Sequence, residues 1–372
     1  GLVANAEFAL ERGVIATGAS SKTLAGTFTA GAAAGDTGVI NFGGAGAIDF
    51  TATSSIGGVS TGTITLANAT LADDATLTLG TGVAADLTTG SIAGTAGAGK
   101  SRVVIDTTGT TLVGGAVGTD LASLTIQSAG DMTFAADVGA SSDRIDAIYL
   151  KAAGGAIEFA DNVYATKMAN SGSFDVSFYG DVTDVTDTMT FTTSGTVNLG
   201  DGAGDVLNFR GGLTHTAGDT TLFGELNTFD NPLYTSGLNV LGSSSIKPGS
   251  AMTAVVTLGA VVLANGTQLS IGSGSSGAVT MASVSGTAGG SGSNLTLDTT
   301  GAINVAGDVG TDLGTVRLVN TGNATFGGAV DGVNLVVESV EAGSTLRFTG
   351  NTNIGTDFSL AAGAYDLRMT GG

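Results

Sequence analysis

Ile105 to Val138 of this chain, IDTTGTTLVGGAVGTDLASLTIQSAGDMTFAADV, lies without a gap on Leu297 to Val330, LDTTGAINVAGDVGTDLGTVRLVNTGNATFGGAV. The offset is 192 residues, and 15 of the 34 aligned positions are identical. The correspondence continues upstream, with Ser60 to Val104 on Met252 to Thr296. There SIAGTAGAG sits on SVSGTAGGS and TLADDATLTLG on VLANGTQLSIG. Residues 60–138 are thus duplicated as 252–330. A long internal repeat means that one supersecondary unit is stacked or strung many times, which favours a structural role over a single active site.

The repeated material is strand material. Short runs of Val, Ile, Leu, Thr and Phe lie between Gly-containing turns, and no segment sustains a helical apolar stripe for three turns. With 63 Gly, 2 Pro, no Trp and a mean hydropathy of +0.36, the chain is neither an ordinary enzyme nor a disordered segment. Ala75-Thr76-Leu77-Thr78-Leu79 and Leu124-Thr125-Ile126-Gln127 alternate inward apolar with outward polar residues. A strand ending in Phe, then a small step, then Val recurs at Phe134, Phe159, Phe178 and Phe326. Phe134 to Phe159 is 25 residues and Phe326 to Phe348 is 22, the length of one solenoid coil. Phe134 and Phe326 should be equivalent inward positions, and glycine pairs such as Gly114-Gly115 and Gly289-Gly290 should mark corners needing positive φ. The expected fold is all-β, a parallel β-helix or related β-solenoid with an internal tandem duplication. Tandem β-sandwich domains are the alternative. The expected division is an N-terminal cap or assembly segment over 1–23, a first β-repeat half over 24–215 and a second over 216–372.

Charge and cysteine usage exclude several functions. Asp plus Glu total 32 against 12 Lys plus Arg, a formal net charge of -20, which disfavours nucleic acid and attracts divalent cations, calcium above all. The absence of cysteine removes disulfides, thiolate nucleophiles and thiolate metal sites. The longest apolar run, Ala251 to Ala264, is shorter than the ~20 residues a helical membrane span needs, so no transmembrane segment is expected. Ala4-Asn5-Ala6 has the small-x-small form of a signal-peptidase site but lacks the preceding charged and apolar stretch. Asn5 to Arg12 is read as a short helix.

Candidate sites are few. Gly94-Thr95-Ala96-Gly97-Ala98-Gly99-Lys100-Ser101 matches the phosphate-binding loop letter for letter, yet Arg102-Val103-Val104-Ile105 reads as strand where that loop needs a helix. The duplicated positions of Gly99, Lys100 and Ser101 are Ser291, Gly292 and Ser293, without lysine, so no nucleotide is expected. Asp201 and Asp205, in GDGAGDVL, are similar to a calcium-binding nonapeptide, and Asp181, Asp184 and Asp187 would converge on a cation only at a turn. These five are the candidate calcium ligands. Asp73-Asp74 reads as a turn, since its partner in the other copy is Asn265-Gly266. His215, the single histidine, reads as an outward strand residue in Leu213-Thr214-His215-Thr216, and no catalytic residue is assigned.

The phrases VGTDLASLTIQSAGDMTFAADVG and VGTDLGTVRLVNTGNATFGGAV resemble the repeats of bacterial surface proteins of the haemagglutinin and autotransporter-associated β-strand-repeat type, and the composition is similar to that of surface-layer proteins. The resemblance implies a parallel β-helix displayed or assembled outside the cell, with no catalytic residues. The expected function is an extracellular structural protein, not an enzyme, that self-assembles through β edges into a surface layer, sheath or filament. An adhesin for carbohydrate or a host surface is the alternative. Cell-surface polysaccharide would be its partner, with Tyr149, Tyr164, Tyr179, Tyr234 and Tyr365 as candidate contacts. A β-helical polysaccharide lyase or glycosidase comes second, weakened by the 12 basic residues, absent Trp and scattered Asp.

Overall fold

The computed structural model describes residues 3–5, 8–10, 14–16, 20–30, 38–44, 46–58, 62–151, 154–252, 254–288, 292–310 and 312–371. Two compact units result: Gly1–Val185 with Thr192–Ser194, and Thr186–Phe191 with Gly195–Gly372. Each is a parallel β-solenoid, and the described residues contain no helix. Neither Gly114 nor Gly115 takes the positive φ expected of a corner, and Gly289-Gly290 lies outside the described residues. The segment read as a helix over Asn5 to Arg12 instead contributes the strands Val3–Asn5 and Phe8–Leu10, which pair in parallel with Lys22–Ala30. Pairing with a neighbouring rung outweighs the local propensity of so short a stretch.

In the first unit a long strand of each coil pairs with the long strand of the next. Ser101–Thr107 pairs with Leu121–Ser128, that with Ile145–Leu150, and that with Val163–Asn170. A second ladder runs through the short strands Thr111–Val113, Met132–Phe134, Ile157–Phe159 and Val176–Phe178. Single bridges Ile92 to Val117, Val117 to Val138 and Val138 to Val163 close the third side. Apolar residues two apart along a strand point inward and stack on their counterparts one coil away. Leu77, Val103, Leu124, Ile148 and Met168 form one such column, and all are buried. Aromatic rings stack likewise: Phe134 on Phe159 at 5.0 Å between centroids, and Phe159 on Phe178 at 5.2 Å, with planes within 7°. Such pairs add ~0.5–1.5 kcal/mol beyond area burial.

The second unit repeats this design in register. Ser293–Thr299, Ile303–Val305, Leu313–Thr321 and Ala324–Phe326 begin 192 residues after Ser101–Thr107, Thr111–Val113, Leu121–Ser128 and Met132–Phe134. The bulge between Ser101 and Arg102 recurs between Ser293 and Asn294. Corner chemistry is duplicated too. Thr107 Oγ1 donates to the Ala85 carbonyl and accepts from Gly109 N at 3.2 Å; Thr299 Oγ1 donates to Gly277 O at 2.7 Å and accepts from Gly301 N at 3.0 Å. Gly80 and Gly272 have φ of +104° and +114°, and a Cβ on either would lie 2.0 Å from the carbonyl of Asp106 or Asp298. Only glycine fits there. Phe134 and Phe326 are equivalent and buried, as the sequence predicts, and Phe326 stacks on Phe348 at 5.1 Å. The sandwich alternative fails because every ladder among the described strands is parallel, and a sandwich requires antiparallel sheets.

Phe159 has a stacked ring on both faces, so Phe159→Ala should destabilise the protein by about 3–5 kcal/mol. Leu112→Ala, at an exposed position two strands away in the same ladder, should stay within about 0.5 kcal/mol. Urea unfolding followed by circular dichroism checks both.

Candidate functional site

The loop that matches a phosphate cradle is already filled. It joins the strand Ile92–Gly94 to the strand Ser101–Thr107, so no helix N-terminus faces it. Asp73, from the adjacent coil, places Oδ2 2.9 Å from Ala98 N and Oδ1 3.4 Å from Thr95 Oγ1. A carboxylate of the protein's own thus accepts from the backbone that would hold a phosphate. Lys100 turns away to Asp146 at 2.6 Å and Asp143 at 3.8 Å, and the Asp146 hydrogen bond holds its ammonium above the usual lysine range.

The five candidate calcium ligands fall into separate local roles. Asp205 is buried, and its Oδ2 accepts from Asp201 N at 2.7 Å and Gly202 N at 2.9 Å, so its carboxylate fastens its own turn. Asp201 is exposed. Asp184 is buried against Arg144, with Nη2 to Oδ2 at 3.0 Å and Nη1 donating to the Asp184 carbonyl at 2.8 Å. Asp181 and Asp187 are exposed. Among the described residues no three His, Cys, Asp or Glu side chains gather into a metal-binding group.

His215 is fully buried, contrary to its outward reading. Its strand, Leu213–His215, buries both ends, and the ring lies edge-on to Phe191, with Nδ1 3.0 Å from Thr220 Oγ1. The sequence carried this signal: Leu213 and His215 are two apart, so an inward leucine requires an inward histidine.

The outward polar residues form ladders between coils. Asn162 donates to Asp137 at 2.9 Å, Thr221 to Asn198 at 2.9 Å, Asn227 to Asn208 at 3.0 Å and Asn320 to Asp298 at 2.7 Å. Lys247 pairs with Glu225, and Arg317 with Glu338. Burial pushes the Glu225 carboxyl up, but hydrogen bonds from Lys247 and Asn227 outweigh it and leave it below the usual carboxylate range.

One face of the second unit is concave. Three shallow cavities of 240, 180 and 190 Å3 adjoin: the first two share Ser245 and Ser270, the first and third Gln268, and the second and third Thr296. Glu225, Ser245, Ser270, Thr296 and Arg317 are in register on successive strands, so small side chains floor a polar trough crossing the strands. In the other copy, Thr78, Val104 and Thr125 replace Ser270, Thr296 and Arg317. No tyrosine lines these cavities. The sequence reading missed this trough, because its floor residues are 25 or more apart and each reads as an ordinary outward strand position. Comparison with protein-family models, with curated proteins and with solved structures finds no match.

Two measurements test these assignments. Calorimetric titration with Mg·ATP should give no binding heat for the native protein or for Lys100→Ala; micromolar affinity abolished by the substitution would overturn the assignment of Asp73 as the loop's anion. For Glu225, the lowered pKa contributes stability above its unfolded value of about 4.3 that is lost as pH falls through the folded value. Lys247→Met should raise the Glu225 pKa, since burial then has only Asn227 opposing it, and carboxyl-carbon NMR titration reads this directly.

Proposed function

We propose that this protein is an extracellular structural component, without catalytic turnover, whose solenoid units build a surface layer, sheath or filament. The observation that carries this reading is the fate of its polar side chains. Asn, Asp, Lys, Glu and Thr residues on the outer faces bond to residues one coil away, as at Asn162 with Asp137 and Asn227 with Asn208. A catalytic centre needs polar groups aimed at a substrate; here they brace the stack. The resemblance to bacterial β-strand-repeat surface proteins supports an extracellular place.

The charge of -20 opposes association until cations screen or bridge it, and exposed carboxylates such as Asp181, Asp187 and Asp201 are available to calcium. The polar trough of the second unit favours a second reading, an adhesin whose ligand is a hydroxyl-rich polymer such as cell-surface polysaccharide.

Light scattering and sedimentation over a calcium and salt titration test the first reading. Assembly should grow with either cation source and reverse on chelation and dilution. A protein that stays monomeric at every protein, salt and calcium concentration is not a structural polymer, and the trough reading then takes precedence.

A further inference from the structure

One turn of the second unit carries a reactive pair that its counterpart in the first unit lacks. Asn265-Gly266 lies 192 residues after Asp73-Asp74, and it is the only Asn-Gly dipeptide in the chain. Both pairs are exposed and occupy the same turn: Ala75 N donates to Ala72 O at 3.0 Å, and Thr267 N donates to Ala264 O at 3.2 Å. The second residue of each pair is left-handed, with φ of +59° at Asp74 and +70° at Gly266. The frame around the turn is shared. Ser101 Oγ donates to Ala72 O at 2.8 Å and Ser293 Oγ to Ala264 O at 2.7 Å, while Thr95 N and Thr287 N donate to Leu71 O and Leu263 O. In the first unit the Asp73 carboxylate is engaged: Oδ2 accepts from Ala98 N at 2.9 Å and Oδ1 lies 3.4 Å from Thr95 Oγ1. In the second unit the same position holds an amide.

The surroundings of that amide make it reactive. An asparagine Cγ can close a small ring with the main-chain nitrogen of the next residue, and here that residue has no side chain to shield its nitrogen. The hydrogen bond that closes the turn is donated by Thr267 N, which leaves Gly266 N out of it. Exposure supplies the water. Other asparagines differ on both counts: Asn162, Asn208, Asn227 and Asn320 are hydrogen-bonded between coils, and they precede Val163, Phe209, Thr228 and Thr321, whose side chains crowd the nitrogen.

We propose that Asn265 is a self-modification site, at which the side-chain amide is exchanged for a carboxylate through a cyclic imide. Gly266 N attacks Asn265 Cγ, a C–N bond forms, and the side-chain nitrogen leaves as ammonia with the proton of the Gly266 amide. Water then opens the ring. Cleavage between Cγ and Gly266 N gives aspartate; cleavage between the main-chain carbonyl carbon and Gly266 N gives isoaspartate, which lengthens the main chain by one methylene. The balance is one water consumed and one ammonia released. The aspartate product stands where Asp73 stands, so the second unit acquires by chemistry the group that the first unit encodes. This inference is independent of the assembly and adhesin readings.

Incubation of the full 372-residue chain in heavy-oxygen water under native conditions tests this, with peptide mapping by a fragmentation method that separates aspartate from isoaspartate. Heavy oxygen should enter position 265 before any other asparagine, as a mixture of the two products, and the aged chain should focus at the isoelectric position of Asn265→Asp. Gly266→Asp, which copies the residue at Asp74, should slow the reaction by an order of magnitude or more, because a side chain then shields the nitrogen. Labelling of the native chain is read whether or not that variant folds. An intact amide at 265 while other asparagines react overturns the proposal, as do equal rates in the native chain and Gly266→Asp. An amide lost only after unfolding in urea overturns it too, since the folded turn would then protect the residue.

Discussion

Main-chain hydrogen bonding between strands one coil apart sets everything else in these units. Because the pairing is parallel and in register, each inward position meets the corresponding position of the next coil, so like stacks on like: Phe134 on Phe159 on Phe178, Leu295 on Val316 on Leu335. A single backbone bond contributes only ~0.5–1.5 kcal/mol net. Its larger effect is geometric, since it fixes the neighbours of every side chain and converts a weakly apolar, Gly-rich sequence into columns without gaps. The same register brings Asn227 to Asn208 and Asn320 to Asp298 on the outside. Those contacts contribute little individually, and they penalise any slip by one residue, which would bury them and expose the core.

Much of this was legible because the register is written into the spacing. The 192-residue offset placed Ser101–Thr107 on Ser293–Thr299 without adjustment, and the 25-residue step from Phe134 to Phe159 is one coil, since these residues are paired partners. Solenoid and sandwich could not be separated, because both require alternating inward and outward residues, and the partner of each strand lies about twenty residues away in sequence. His215 was misplaced by reading its chemistry before its parity. The phosphate-loop match shows the reverse problem: eight letters fit, yet Asp73, more than twenty residues upstream, decides what the loop holds. No local motif carries that information.

The duplicated copies differ where the fold permits. Positions that close a coil are kept: Thr107 and Thr299 brace the same corner, Ser101 and Ser293 donate to the carbonyls of Ala72 and Ala264, and Gly80 and Gly272 pass under an aspartate carbonyl. Outward positions vary, with Thr78, Val104 and Thr125 facing Ser270, Thr296 and Arg317. Serine in place of Thr78 removes a methyl group from the floor, threonine in place of Val104 makes it polar, and arginine in place of Thr125 raises one end. The row of side chains that floors the trough therefore differs between the copies, on a scaffold the two share.

In a flat sheet, a sequence with 2 Pro and few lysines would leave its edges open to promiscuous pairing. A solenoid removes that hazard along its length, because the next coil occupies each strand's edge, and the devices that blunt edges become unnecessary there. Apolar side chains are exposed at Leu112, Leu241 and Met252 as well as at Phe358, Leu367 and Met369, among faces that otherwise carry polar ladders. Acidic lateral faces repel one another over about a Debye length, ~8–10 Å at physiological salt. Attraction through matched main-chain edges acts only at contact. A chain of this charge thus discourages side-by-side aggregation, and the range of that repulsion is set by the ions around it.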